Sequence, residues 1–184
     1  MRIITGRYKG RNLFSVEGRT TRPTTAYNRA MIFSVYSDYE GKRVLDLFAG
    51  TGSFGLEALS RGAVWADLVE FATPAVATIL RNINLLGCGS DCHVWRKRAD
   101  AFLKSSEDSW DVIFLDPPYA KKLLNPSLDL IFERSLLRVG GVVIAEHSPL
   151  EPVAEIYQKL ILRSKAGKTS CFTLLEASEQ GSQG

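Results

Sequence analysis

The sequence has no apolar run near the ~20 residues that a membrane-spanning helix needs. It has only three cysteines, Cys88, Cys92 and Cys171, an odd number at unrelated spacings. The first absence excludes a transmembrane segment. The second excludes a disulfide scaffold and suits a reduced, cytoplasmic protein. Cys88, Cys92 and His93 lie close together, but no second ligand pair accompanies them, so no metal is expected. There is no long polar tract, and charged residues make up 23% of the chain, which argues against global disorder. The opening Met1-Arg2-Ile3-Ile4-Thr5-Gly6 turns polar too soon for a secretory signal.

What is present is enough for one domain. The chain of 184 residues is 45% hydrophobic and can bury a substantial core. The net charge is only +3, but it is unevenly placed. Residues 1–43 hold nine Lys/Arg against three acids, and residues 44–184 hold fourteen against seventeen. A basic arm ahead of a mildly acidic body points to a polyanionic partner met at the N-terminus.

Residues 1–43 read as a basic extension and helix, serving as RNA-binding segment and cofactor lid. Short apolar pieces predict a hairpin around Lys9-Gly10 or Gly18. Pro23 biases Arg22 away from helix, and Thr24 or Thr25 can cap a helix that buries Tyr27, Ala30, Phe33 and Ser34 and ends at Gly41. From residue 44 to 177, strands alternate with helices. Strands are predicted at 44–48, 66–70, 92–96, 112–115 and 142–146. Helices are predicted at 53–61, 73–86, 100–105, 127–137 and 150–159. Two last strands, 160–165 and 169–176, are joined by too short a turn for a crossover and must form an antiparallel hairpin. Residues 178–184 read as a frayed tail. The pattern is α/β: a seven-stranded, mostly parallel Rossmann-like sheet with helices on both faces and an antiparallel last strand.

The stretch Val44-Leu45-Asp46-Leu47-Phe48-Ala49-Gly50-Thr51-Gly52-Ser53-Phe54-Gly55 is a strand, a tight turn and a helix start. Its glycines spell the dinucleotide fingerprint, and Glu70 lies where a ribose-binding acid belongs. Alone, it fits NAD, and an NAD-dependent oxidoreductase is one reading. Asp46 directly before the turn argues otherwise, because a pyrophosphate prefers a helix N-terminus free of competing negative charge. S-adenosylmethionine has no phosphate and carries an amino group and a sulfonium. On that reading Asp46 lies near the amino end, and Gly50 and Gly52 permit close backbone approach. Glu70 holds the ribose hydroxyls and Asp100 accepts from the adenine amine. Phe48, Ala49, Thr51, Phe71 and Ala101 complete the cofactor loops.

The second motif, Asp116-Pro117-Pro118-Tyr119, directly follows an apolar strand. A base's exocyclic amine is conjugated with the ring and is a poor nucleophile. Two acceptors around its N–H bonds, the Asp116 carboxylate and the Pro117 carbonyl, can aim its electrons at a methyl donor, while Tyr119 stacks on the ring. This tetrapeptide resembles the signature of methyltransferases acting on planar amino nitrogens. His147 reads as a strand-end polar residue, and Trp65, Trp95 and Trp110 as packing residues.

Over nearly its whole length the chain resembles the RsmD-type family of bacterial 16S rRNA guanine-N2 methyltransferases. The resemblance rests on Arg2-Ile3-Ile4-Thr5-Gly6-Arg7-Tyr8-Lys9-Gly10-Arg11, Arg22-Pro23-Thr24-Thr25, the glycine loop, Gly55-Leu56-Glu57-Ala58-Leu59-Ser60-Arg61-Gly62-Ala63, Glu70 and the tetrapeptide. It departs from that family at Ala26, at Ala30 after Arg29, and at Ala166. The resemblance implies a class I fold and methyl transfer from S-adenosylmethionine to the N2 amine of a guanine. The substrate would be 16S rRNA within the small ribosomal subunit, and the enzyme a monomer. Arg2, Arg7, Lys9 and Arg11 would then face RNA phosphates, and Arg22 the RNA or the cofactor carboxylate. Alternatives are a DNA adenine-N6 or protein glutamine-N5 methyltransferase and, from another class, a non-catalytic RNA-binding module.

Overall fold

The chain's structure is a computed structural model that describes residues 1–16, 23–118, 121–167 and 170–177, excepting the side chains of 23–28. Its strands are β1 (Arg43–Asp46), β2 (Trp65–Val69), β3 (Cys92–Trp95), β4 (Trp110–Leu115), β5 (Leu137–His147), β6 (Ile161–Ala166) and β7 (Cys171–Glu176). They form one sheet in the order β3-β2-β1-β4-β5-β7-β6. The first five strands are parallel, and β7 runs antiparallel to both β5 and β6. This is the expected class I methyltransferase arrangement, with the final hairpin as its antiparallel edge.

The helices are α1 (Pro23–Val35), α2 (Ser53–Ser60), α3 (Thr73–Leu86), α4 (Ala99–Ser105) and α5 (Leu124–Glu133), with a 3-10 turn at Glu155–Leu160. Alternation along the strands divides the core in two, as a sheet covered on both sides requires. Val44, Phe114, Ile144 and Leu174 face α1, α2 and α3. Leu45, Ile113, Val143 and Leu175 face α4 and α5.

The N-terminal segment folds back as a hairpin around Lys9-Gly10: Ile3 donates to the Arg11 carbonyl and Gly10 to the Ile3 carbonyl, at 2.9 and 3.0 Å. The alternative turn at Gly18 lies outside the described residues. The hairpin is pinned along α2. The buried carboxylate of Glu57 accepts from the Ile4 and Thr5 amides at 2.7 and 3.0 Å and from Arg61 Nε at 2.9 Å. Gly6 has φ +86°, and a Cβ there would stand 1.6 Å from the Ser60 carbonyl oxygen, so only glycine permits this approach.

Four sequence expectations need correction. α1 starts at Pro23, before either threonine proposed as its cap, and stops at Val35; Gly41 lies in the turn before β1. Its buried residues include Arg29, Ile32 and Phe33, while Ala30 and Ser34 are exposed. Arg29 is accommodated there because it donates through Nη2 to the Arg2 carbonyl under the hairpin. The helix expected at 127–137 ends at Glu133, where the chain turns through Ser135 at φ +53° and places Leu136 beside β4. The expected helix at 150–159 is a short 3-10 turn. Asn125 holds the segment before it extended by bonding Pro152 and Ala154.

Candidate functional site

Every acid singled out for chemistry in the 44–177 region comes from the carboxyl-end side of a strand, where open α/β sheets bind ligands. The turn after β1 is built on glycine conformations. Gly50 has φ +56° and Gly52 φ +77°. A Cβ on Gly50 would meet only the Phe48 carbonyl, at 4.0 Å, so the space above the turn is open to a ligand. Gly55 serves differently: a Cβ there would stand 2.4 Å from Leu68, so its absence lets α2 lie close on β2.

Two carboxylates brace this turn from inside. Asp46 is buried and accepts from the Gly55 amide at 3.0 Å. Burial pushes its pKa up to about 7, with Glu70 adding to the rise and the Gly55 and Phe54 amides opposing it. Glu70 accepts from Gly50 at 3.0 Å and from Phe71 and Ala72 at 2.8 Å each, linking the glycine turn to the start of α3. Phe71 beside it is 65% exposed, an unusually bare aromatic. Phe48 is half-buried, and Ala49 is held under the turn by its bond to the Val69 carbonyl at 3.0 Å. Acids flanking an open glycine turn fit a ligand bearing an ammonium group and ribose hydroxyls; no side chain in the turn neutralises a pyrophosphate.

Asp116 follows β4, the strand beside β1. Leu115 pairs with Ala145, so Asp116 and Glu146 come next in register across β4 and β5. Burial raises the Asp116 pKa well above the usual carboxylate range, and the charges of Glu146 and Asp46 raise it further. Pro117 is buried and Pro118 exposed. Tyr119 lies outside the described residues, as does Arg22. The structure thus brings Asp46, Glu70 and Asp116 to neighbouring strand ends. Asp100 and Ala101 sit exposed in the first turn of α4, one strand beyond Glu70. Asp100 accepts from Arg98 Nε at 3.1 Å, which holds its carboxyl below the usual range; the cap position before it belongs to Arg98.

The basic arm is placed elsewhere. α2 runs from the glycine turn to Ser60, and the Arg7 amide donates to the Ser60 carbonyl at 2.8 Å. Arg7 Nη2 also pairs with Asp91, directly before β3, at 2.6 Å. Arg7, beside the hairpin tip, is thus held at the amino end of the edge strand β3, whereas Asp116 stands at the carboxyl end of the central strand β4. Arg2 is committed to the Gly10 carbonyl at 3.0 Å, and Lys9 and Arg11 are exposed.

Sequence reasoning missed four polar residues. Glu146 was seen only as a strand end, although a charged residue closing an otherwise apolar strand was a usable signal. Glu57 anchors the arm, as described. Asn82, fully buried in α3, accepts from the Phe14 amide at 2.7 Å and donates to the Thr51 carbonyl at 2.9 Å, joining arm to glycine turn. Asp67 receives Trp65, Trp95 and Trp110 through their indole N–H groups, at 3.0, 2.8 and 2.9 Å. His147 ends β5 with its ring nitrogens 3.1 Å from the Ser148 carbonyl and 3.0 Å from Thr173 Oγ1.

Known proteins share this architecture. The model of the family described as "Conserved hypothetical protein 95" matches residues 1–175. YlbH of Bacillus subtilis (strain 168), provisionally named an rRNA methyltransferase, is 38% identical over 169 residues, covering 90% of this chain and 92% of its own. Ribosomal RNA small subunit methyltransferase D of Escherichia coli (strain K12) is 31% identical over 147 residues, covering 79% of this chain and 74% of its own. Among solved structures, the Escherichia coli protein yhhF, provisionally named a methyltransferase, superposes with a TM-score of 0.87 at 29% identity, over 98% of this chain and 99% of that one. With the glycine turn and the Asp116 strand end in their expected places, the chain belongs to this family, the RsmD-type methyltransferases.

Proposed function

We propose that this chain transfers a methyl group from S-adenosylmethionine to the exocyclic N2 amine of a guanine in small-subunit 16S rRNA. The observation that carries the reading is the adjacency of Asp116 and the glycine turn on neighbouring strands, with desolvation and the charges of Glu146 and Asp46 raising the Asp116 pKa. The names of the relatives supply the nucleic-acid class. When bound, S-adenosylmethionine supplies a sulfonium-activated methyl group.

The chain's own residues do the rest. Gly50 and Gly52 leave room for the donor, and Glu70 exchanges backbone amides for ribose hydroxyls. Asp46 sets a negative charge below the amino end, and Asp100, Phe71 and Ala101 border the adenine. Asp116 accepts one amine hydrogen and the Pro117 carbonyl the other, fixing the nitrogen with its lone pair toward the methyl. Ionised Asp116 then takes the proton that the amine loses. A raised pKa suits that task, because a stronger base holds the proton better near neutral pH. Tyr119 stacks on the base. Arg2, Arg7, Lys9 and Arg11 contact RNA phosphates away from the target nucleotide, at the hairpin's edge of the sheet, and Arg22 binds the RNA or the cofactor carboxylate.

The test is labelled methyl transfer to naked 16S rRNA, to small subunits lacking the modification, and to DNA, followed by mapping of the methylated base. Methylated guanine N2 is the expected product. Methyl on adenine N6, or acceptance by DNA alone, overturns the reading. Titration with S-adenosylmethionine and NADH gives binding of the first; binding of NADH alone removes the methyl-transfer reading altogether.

A further inference from the structure

The first face of the sheet carries a second concavity next to the site. A cavity of about 270 Å³ opens between α1 and the far strands of the sheet. α1 lines it with Met31, Val35 and Tyr36, and the sheet with Ile144, Phe172 and Leu174. Its outer wall is the edge strand β6, with Arg163 and Lys165. Both cations are exposed, and neither makes an ion pair among the described residues.

Strand register links the cavity to the Asp116 end of the sheet. Glu146 pairs with Phe172, and Phe172 with Lys165, so one cross-strand row runs from the carboxylates beside Asp116 to a lysine on the open edge. One step down the strands, Ile144 pairs with Leu174 and Leu174 with Arg163. The far end of the groove has the opposite sign: Asp38, Asp111 and Glu176 surround Tyr36, whose pKa burial and those acids raise to about 12. The cations on the outer strand β6 therefore offer a polyanion its contact along the open edge of the groove, away from Asp38, Asp111 and Glu176.

We infer that this groove seats the single-stranded RNA next to the target nucleotide: a neighbouring base enters between Tyr36 and Phe172, and Arg163 and Lys165 hold the adjoining phosphates. Two partly buried aromatics beside unpaired cations are the elements that bind unstacked bases and their backbone. The register row from Glu146 through Phe172 to Lys165, which leads from the Asp116 end to the cations, selects RNA as the occupant, and in this the inference rests on the proposed RNA acceptor. Arg7 of the hairpin is held beside β3, at the other edge of the sheet from β6.

The experiment uses the full chain, a short single-stranded RNA carrying 4-thiouridine, and S-adenosylmethionine binding as a check of the fold. Arg163→Glu with Lys165→Glu should weaken RNA binding by about tenfold or more and reduce the salt slope by about 1.4, the release expected for two phosphates on a single strand. Arg134→Glu with Lys159→Glu makes the same charge change away from the groove and should do far less. Phe172→Leu, which preserves apolar packing, should abolish photocrosslinks to its own position and weaken binding without altering the slope. Unchanged affinity and slope in the Arg163/Lys165 double variant, with crosslinks at the hairpin, would overturn the assignment. So would full RNA affinity combined with lost transfer only on assembled subunits, which would mean that the groove seats a ribosomal protein. If the unaltered protein binds S-adenosylmethionine yet neither binds nor methylates RNA, the RNA acceptor itself is wrong and the groove assignment falls with it.

Discussion

The two halves of the strand-end cleft hold their acids in different ways. On the β1–β2 side, Asp46 and Glu70 are tied to backbone amides: Gly55 for the first, Gly50, Phe71 and Ala72 for the second. On the β4–β5 side, Asp116 is raised by burial and by its carboxylate neighbours Glu146 and Asp46. The first arrangement shapes a turn before any ligand arrives. The second stores an electrostatic cost that a hydrogen-bond donor can relieve. A donor cofactor is met by a preformed turn, and an amine acceptor by acids that favour a partner bearing N–H groups.

The sharpest way to break this contrast is to remove Asp116. Asp116→Ala should lower single-turnover transfer by about a thousandfold or more while leaving S-adenosylmethionine affinity within a few fold, since positioning dominates such catalysis. A large loss of cofactor affinity would assign Asp116 to the donor side. Glu70→Ala tests the other half. It should weaken the cofactor by the ~1.5–3 kcal/mol of a charge-assisted bond, read by calorimetry. Unchanged affinity would exclude ribose contact.

Next comes pH. The ionised form of Asp116 accepts the proton, so transfer should rise with pH and level off above its elevated pKa. Glu146→Gln removes a like charge, lowers that pKa and should move the rising limb to lower pH. A limb that stays in place would uncouple the two acids. Asp46 gives a smaller signal, in stability. Its pKa is raised to about 7 in the fold, so the stability that its protonation favours is full below its unfolded value and fades as pH climbs to about 7. Asp46→Asn should therefore raise the melting midpoint at pH 8 relative to the unaltered protein, by more than at pH 5. The smallest effect belongs to the arm. Neutralising Arg7, Lys9 and Arg11 should lower RNA affinity and flatten its salt dependence. The Arg7–Asp91 pair is surface-exposed, so stability should fall by only ~0–1 kcal/mol.

Where sequence and structure agree, the determinants are local. α3 spans Thr73–Leu86 as expected, because Pro74 starts it and Gly87, at φ +66°, stops it. The glycine turn and the Asp116 strand end were legible because each is a short motif with its own conformational demands. Several of the misreadings involve partners distant in the chain. Arg29 is buried because Arg2 offers it a carbonyl. β5 begins at Leu137, inside an expected helix, because Leu136 meets Trp110. Glu57, Asn82 and Asp67 read as ordinary helix and strand polar residues. Each has a partner far along the chain, 53, 68 and 43 positions away, and no local periodicity encodes such distances. Glu146 became informative only once the register set it beside Asp116.

The tryptophans offer a last consequence. The protein has three, and all three indoles converge on Asp67 in β2. Every photon of intrinsic tryptophan emission thus comes from one patch of the β2–β3–β4 region, next to the cofactor loops and away from α1 and β6. Emission wavelength should follow the melting of that patch and the filling of the adenine end, while RNA in the far groove goes optically unnoticed. A phenylalanine at any one of the three positions would leave the others as reporters, and a tryptophan introduced on β6 would supply the missing channel.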